Sequence, residues 1–205
     1  RHTFYRIMIH LYFLLYTNTS SAIILNNMIY ENCISCGGAS GLMLAALLPT
    51  QYGIILEGTK SPGTKLLMSG GGRCNITHDG PVKELAASYN TSGGSIRGAL
   101  NRHSNIELCS WLESCGMPLV TEADGRIFPA SGKASDVLDL LLSKARDNGW
   151  SILTEEKVRS IKADARPYCV ATEDKEFLCR NLIIASGGTT YPHTGSDGSM
   201  FTIMK

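Results

Sequence analysis

The chain is short of charge: 18% of its 205 residues are Asp, Glu, Lys or Arg, and the net charge is +1. So small an imbalance gives no reason to expect a polyanion partner. No basic stripe, zinc-finger spacing or aromatic-plus-basic strand pattern is present, so nucleic-acid binding has no motif in its favour. No apolar run is long enough to span a bilayer, the Ile7 to Tyr16 stretch included, and no membrane partner is expected. Internal repeats and low-complexity blocks are also missing. The seven cysteines form no disulfide-like framework, and the odd number suits a reducing compartment. Cys33-x-x-Cys36 has no second close pair to complete a metal site, because Cys109 and Cys115 are spaced differently. We read the pair as ordinary strand cysteines and expect no metal.

A chain of 205 residues has room for one domain with an ample core, or one domain and part of another. Its first residues imitate a signal peptide: Arg1 and Arg6, the apolar Ile7 to Tyr16, then the small-residue run Thr17 to Ala22. The chain starts with Arg1, and recognisable pattern begins near Met28. Residues 1–27 are therefore read as a leader or non-native upstream segment, and residues 28–205 as one α/β domain.

Two glycine-rich segments carry the strongest signal. Lys65-Leu66-Leu67-Met68-Ser69-Gly70-Gly71-Gly72-Arg73-Cys74-Asn75 holds three consecutive glycines flanked by side-chain donors. Glycine reaches φ values closed to other residues, and successive bare N–H groups in such a turn form an anion-binding concavity. A flexible linker would be Gly/Ser-rich over a longer stretch. Upstream, Ile34-Ser35-Cys36-Gly37-Gly38-Ala39-Ser40-Gly41 leads into the helix-forming Leu42 to Leu48, then Ile54-Ile55-Leu56 and Glu57. This is the strand, glycine turn, helix, strand, acid order of a dinucleotide-binding βαβ unit. Glycines there let the backbone reach a pyrophosphate on the helix N-terminus, and the acid accepts a ribose hydroxyl.

The unit departs from pattern in three places. Cys36 replaces the first glycine of G-x-G-x-x-G, so the tight turn is made by a residue with a Cβ. Tyr30 to Ser35 is more polar than a strand buried on both faces should be. Pro49 cuts the helix short. A third segment, Asn181 to Ile184 running into Ala185-Ser186-Gly187-Gly188, reads as a strand whose small residues allow close approach of a ligand.

Elsewhere, His78 to Ser104 reads as polar and turn-rich. Asn105 to Cys115 has helical spacing and is stopped by Gly116-Met117-Pro118. Asp124-Gly125 marks a hairpin. Ser135 or Asp136 is expected to cap a helix running to Asn148, with Val137, Leu138, Leu140, Leu141 and Leu142 inside and Gly149 at its end. Short strands are expected at 151–153, 158–163, 168–172, 176–178 and, separately, 182–185. His78, His103 and His193 have no paired acid nearby in sequence and read as surface or hydrogen-bonded residues.

Taken in this order, the segments resemble the FAD-binding oxidoreductases grouped with aminoacetone oxidase and the dehydro-bile-acid reductases. The resemblance runs from about Ile29 to Lys205; Gly125-Arg126-Ile127-Phe128-Pro129 and Lys133-Ala134-Ser135 belong to it, and the Ser69-to-Asn75 string is its specific element. It implies a Rossmann-like FAD-binding domain with a parallel sheet and a small antiparallel β excursion, truncated before the substrate domain. It implies a cytoplasmic flavoprotein that transfers hydride to or from a small-molecule substrate, with NAD(P)H a candidate electron donor. It places Gly37, Gly38, Ser40 and Gly41 on the FAD pyrophosphate and Glu57 on the adenosine ribose. Lys65, Ser69, Gly70, Gly71, Gly72, Arg73, Cys74 and Asn75 would lie on the flavin side. Val158 would touch the adenine through its backbone, and Ala185, Ser186, Gly187 and Gly188 would close over the dinucleotide. Arg73 has two readings, facing flavin or substrate, or hydrogen-bonding its own loop. Ser186 replaces a usual threonine, and Ser196-Asp197-Gly198-Ser199-Met200 stands where the family tends to read Ser-Thr-Gly-Asp-Gly. An inactive dinucleotide-binding module and a nicotinamide-dependent dehydrogenase are the competing readings; neither substrate, catalytic residue nor oligomeric state follows from the sequence.

Overall fold

The computed structural model describes residues 28–89 and 92–204; the leader reading for residues 1–27 lies outside them. The chain begins with β1 (Ile29–Ser35), α1 (Ala39–Leu47), β2 (Gly53–Leu56), α2 (Thr64–Met68) and a 3₁₀ turn (Ser69–Gly72). Next come β3 (Thr77–His78), α3 (Val82–Ala87), α4 (Gly93–Arg102), α5 (Asn105–Ser114), β4 (Leu119–Thr121) and β5 (Arg126–Pro129). It continues with α6 (Ala134–Asp147), β6 (Trp150–Leu153), β7 (Ser160–Lys162), β8 (Tyr168–Ala171) and β9 (Glu176–Ile184). A 3₁₀ turn (Pro192–Thr194) and α7 (Ser199–Ile203) follow.

The main sheet has six strands in the order β6-β2-β1-β9-β8-β7. β6, β2, β1 and β9 are parallel, whereas β8 and β7 add an antiparallel edge. A second sheet, β3-β5-β4, is antiparallel. Side chains alternate across the main sheet and so divide the core in two. Ile34 and Ile55 pack with Leu42 and Ala45 of α1 and Val137 and Leu141 of α6. Cys33, Ile54 and Leu56 pack on the other face with Val170, Phe177, Cys179 and Met200. Each such apolar side chain contributes about 1.5–3 kcal/mol on full burial.

The polar start of β1 is compatible with its central place because its polar groups are paired. Asn32 Nδ2 donates to Thr50 Oγ1 at 3.0 Å, and Asn181 Nδ2 donates to Asn32 Oδ1 at 3.1 Å. Glu31 accepts from Thr50 Oγ1 and the Gln51 N–H. α1 ends at Leu47, two residues before Pro49, as the missing N–H requires.

Four local expectations change. The two strands expected at 176–178 and 182–185 are one nine-residue strand, β9. Asn181, between the two expected segments, bonds across to β1. The stretch read as turns holds α3 and α4, which pack so closely that a Cβ on Gly93 would lie 2.2 Å from the Ala86 carbonyl oxygen. The Ser135 or Asp136 cap is replaced by Lys133, which makes no side-chain cap. Val158 falls outside β7, which starts at Ser160. By contrast, α5 begins on a reciprocal capping box between Ser104 and Glu107. Among the described residues no helix is long and apolar enough to cross a membrane.

Candidate functional site

The carboxyl ends of β1, β2 and β9 open onto one groove, where open parallel sheets bind ligands. It consists of a larger cavity of about 590 Å³ and a smaller one of about 250 Å³. Cys36, Glu57 and Ser186 line both and form the waist between them.

The β1–α1 turn meets the waist first. Gly38 is the N-cap of α1 with no side-chain cap, and no acidic residue stands in the first turn. The helix start is thus open to an anion. Gly41 has to be glycine: a Cβ there would lie 2.3 Å from the Cys36 carbonyl oxygen and 3.1 Å from Ile34 Cγ2. Cys36 itself sits at φ 92°, the left-handed region that a Cβ disfavours. The expected tight turn is therefore made, with strain, by a cysteine.

Glu57, at the end of β2, is 4% exposed and holds the waist together. Its Oε2 accepts from the Gly37 N–H at 2.8 Å and from Cys36 Sγ at 3.5 Å. Its Oε1 accepts from the Thr59 N–H and Thr59 Oγ1, each at 2.8 Å. Burial, followed by the neighbouring Glu57 carboxylate, pushes the Cys36 thiol up to about 12. Next to the waist, Ser35 Oγ is buried without a hydrogen-bond partner among the described residues and borders the smaller cavity.

The second glycine run flanks the larger cavity, which Ser69, Cys74 and Asn75 at its two ends line. Gly70, Gly71 and Gly72 all have positive φ, at 56°, 68° and 89°. Cys74 follows at φ 61°. The concavity expected from these residues is filled in part by the chain itself, because the Arg73 and Cys74 N–H groups both donate to the Ser69 carbonyl. Among the described residues Arg73 does not hydrogen-bond its own loop through its side chain: it pairs with Glu122 at 2.6 Å and stacks 4.1 Å over the Phe128 ring. Cys74 is buried under the loop, and burial raises its thiol above the usual range.

The 186–198 segment crosses the groove and is tied on both sides. Lys65 Nζ donates to the Thr190 carbonyl at 2.5 Å and to Ser196 Oγ. Lys157 pairs with Asp197 at 2.6 Å, holding that carboxyl well below its usual range; Ser199 donors add to this.

Of the residues singled out from sequence, Gly38, Ser40, Glu57, Lys65, Ser69, Cys74, Asn75, Ala185, Ser186 and Gly187 line the larger cavity. Val158 lines the smaller one. Gly37, Gly41, Gly70, Gly71, Gly72, Arg73 and Gly188 line neither and act, where they act, through backbone shape. Sequence reasoning missed Thr59, the Lys157–Asp197 pair and the cavity's apolar floor of Met43, Leu108, Leu112, Val137 and Leu141. The floor was visible only as helical periodicity, which does not say which apolar face a cavity borders. His193 borders the smaller cavity with no acid paired to it in the described residues.

Comparison with known proteins agrees with this geometry. The family described as HI0933-like protein Rossmann domain matches residues 30–205. The 3-dehydro-bile acid delta(4,6)-reductase of Clostridium scindens is 28% identical over 173 residues, covering 82% of this chain and 42% of that protein. The ribosomal RNA dihydrouridine synthase of Haemophilus influenzae is also 28% identical over 173 residues, covering 81% and 42%. The chain thus spans 42% of the length of these relatives. Among solved structures, the 3-ketosteroid-delta4-(5alpha)-dehydrogenase of Rhodococcus jostii superposes with a TM-score of 0.54 at 15% identity, over 83% of this chain and 49% of that one. A flavocytochrome c3 fumarate reductase gives 0.52 at 16% identity, over 84% and 37%. At those identities the likeness is one of fold. Sequence and fold together place residues 30–205 in the HI0933-like family, as its Rossmann domain.

Proposed function

We propose that this chain binds FAD along the groove and forms the cofactor-holding part of a flavin-dependent oxidoreductase acting on a small molecule. The observation that carries it is the two-lobed groove at the strand ends, with an uncapped helix start and a buried acid at its waist. The residues fit the group. The α1 N-terminus offers N–H groups to a pyrophosphate, and the unpartnered Ser35 Oγ offers a hydroxyl beside it. The smaller cavity, bordered by Val158, takes the adenosine. The larger, apolar-floored cavity takes the ring system and keeps water from it.

Bound FAD would supply the hydride transfer, which the protein positions and tunes. The chain's own contributions are then specific. Glu57 keeps the Gly37 turn and Thr59 in register, and Lys65 sets an ammonium at the rim of the larger cavity beside Ser196. The reductase and dihydrouridine synthase names of the two relatives support an activated alkene as substrate; NAD(P)H is the donor in this proposal. The near-neutral charge favours a small molecule over RNA for this chain.

The test is a titration of the chain with FAD, read by the visible bands and fluorescence of bound flavin. Saturable binding with a perturbed spectrum is expected; a chain that binds NADH but leaves FAD free supports the nicotinamide reading instead.

A further inference from the structure

The sulfur of Cys36 stands at the waist where the two cavities of the groove meet. It lies 3.5 Å from Glu57 Oε2, and a Cβ on Gly38 would lie 3.8 Å from it. It is therefore lodged between the start of α1 and the acid at the end of β2, and it lines both cavities. A dinucleotide running between those cavities passes this same point. The backbone supplies no reason for a cysteine here, because φ is 92° and any side chain is strained. Beside it the buried Ser35 Oγ, 1% exposed and without a partner among the described residues, borders the smaller cavity and marks a polar contact that a ligand would complete.

We infer that Cys36 is an affinity-setting residue: its side chain occupies the ribose-side approach to Glu57 and the helix start, and it weakens adenine-dinucleotide binding in this chain. The inference rests on the dinucleotide reading of the groove and concerns only how tightly the groove binds. The Glu57 carboxylate makes the consequence concrete. A carboxylate offers about four acceptor positions. The Gly37 N–H, the Cys36 thiol and the two Thr59 donors take four. Of these donors only the thiol is weak and dispensable to the backbone, so it is the one whose removal opens a position for a ribose hydroxyl. The thiol stays protonated at neutral pH, because burial and then Glu57 push it up to about 12, so it neither repels an anion by charge nor acts as a nucleophile.

The experiment compares the full chain with Cys36→Ala and Cys36→Gly, titrating each with FAD, ADP and riboflavin. Cys36→Ala removes the sulfur and keeps the Cβ; Cys36→Gly removes both. A freed charge-assisted hydrogen bond corresponds to roughly tenfold in affinity. FAD and ADP are expected to bind about tenfold tighter to Cys36→Gly, with Cys36→Ala in between. Riboflavin, which has neither phosphate nor adenosine, should bind all three alike. Melting temperatures separate the alternative. A rise in Tm for Cys36→Gly with unchanged ADP affinity means the residue affects backbone strain only, and overturns the inference while leaving the groove's function intact. If none of the three proteins binds FAD or ADP, the dinucleotide reading falls, and the inference with it.

Discussion

The two glycine-rich segments look alike in sequence and do different jobs. At the β1–α1 turn the glycine at position 41 is required by space: the Cys36 carbonyl and Ile34 already occupy the room a Cβ would need. In the 69–75 run the glycine at position 71 is required by handedness: φ is 68°, yet no chain atom lies within 4 Å of an added Cβ. One turn is packed against its own fold, and the other stands open at Gly71, although at Gly70 a Cβ would lie 2.8 Å from the Asn75 nitrogen. A glycine signature alone therefore says nothing about whether the backbone approaches protein or ligand.

The sharpest way to break this comparison is Gly41→Val. Overpacking on that scale should cost about 3 kcal/mol and expel the helix start, seen as a lower urea midpoint and loss of FAD binding together. A well-folded Gly41→Val protein would mean that the turn adapts and that space is not the constraint.

Glu57→Gln comes next, because Glu57 stitches the packed turn to β2. The amide keeps two acceptor positions at most on one oxygen and places an NH₂ against the Gly37 or Thr59 N–H. About 1.5–3 kcal/mol is at stake, measurable by denaturant unfolding without cofactor. A loss of FAD affinity with unchanged stability would instead confine Glu57 to the ribose.

The stability of the protein should respond at Gly71 to conformation alone, since an added Cβ meets nothing within 4 Å. Gly71→Ala is expected to cost about 1 kcal/mol, and Gly71→Asn less, since asparagine tolerates the left-handed region. Gly71→Val should lower flavin occupancy more than it lowers stability, because its bulk projects into open space. Equal flavin content in Gly71→Val and parent would remove this run from the cofactor's surroundings.

The smallest effect concerns the sheet on which the open run rests. His78 Nδ1 and Nε2 face the carbonyl oxygens of Asp79 and Asp124, each at 2.7 Å. Both nitrogens can donate to these carbonyls only when the ring is protonated, so the contacts favour the imidazolium. These carbonyl bonds, that of Asp79 first, raise its pKa above the ordinary 6.5. The stabilisation is complete below the ordinary value of 6.5 and is lost as pH rises through the higher folded value. His78→Gln should flatten a slight fall in Tm across that window; an unchanged pH profile would show that the ring titrates without linkage to folding.

Much of the fold was legible beforehand because its signals are local. A continuous apolar run marked β2, proline marked the end of α1, and Asp124-Gly125 marked the β4–β5 hairpin. Where local signals were polar they misled. The polar residues between 178 and 182 split β9 into two expected strands, and the polar, glycine-bearing stretch 78–104 suggested turns, because Asn181 finds its partners far along the chain and Gly93 packs on a neighbouring helix. The site was half legible. Glu57 and the helix start were found from spacing, whereas Thr59, Lys157 and Asp197 have no motif around them. Arg73 had two equal readings until Glu122 and Phe128, some fifty residues away in sequence, took it up.

The order of elements, the glycine positions and the acid after β2 follow from the sequence itself, since each rests on steric rules that act within a few residues. The tertiary structure alone decided what those residues face. It closed the 69–75 concavity partly on the Ser69 carbonyl, saturated Glu57 with donors from two loops, and set the Cys36 sulfur at the waist of the groove. Hydrogen bonds and close contacts between segments depend on where the whole chain brings them, and no short stretch encodes that.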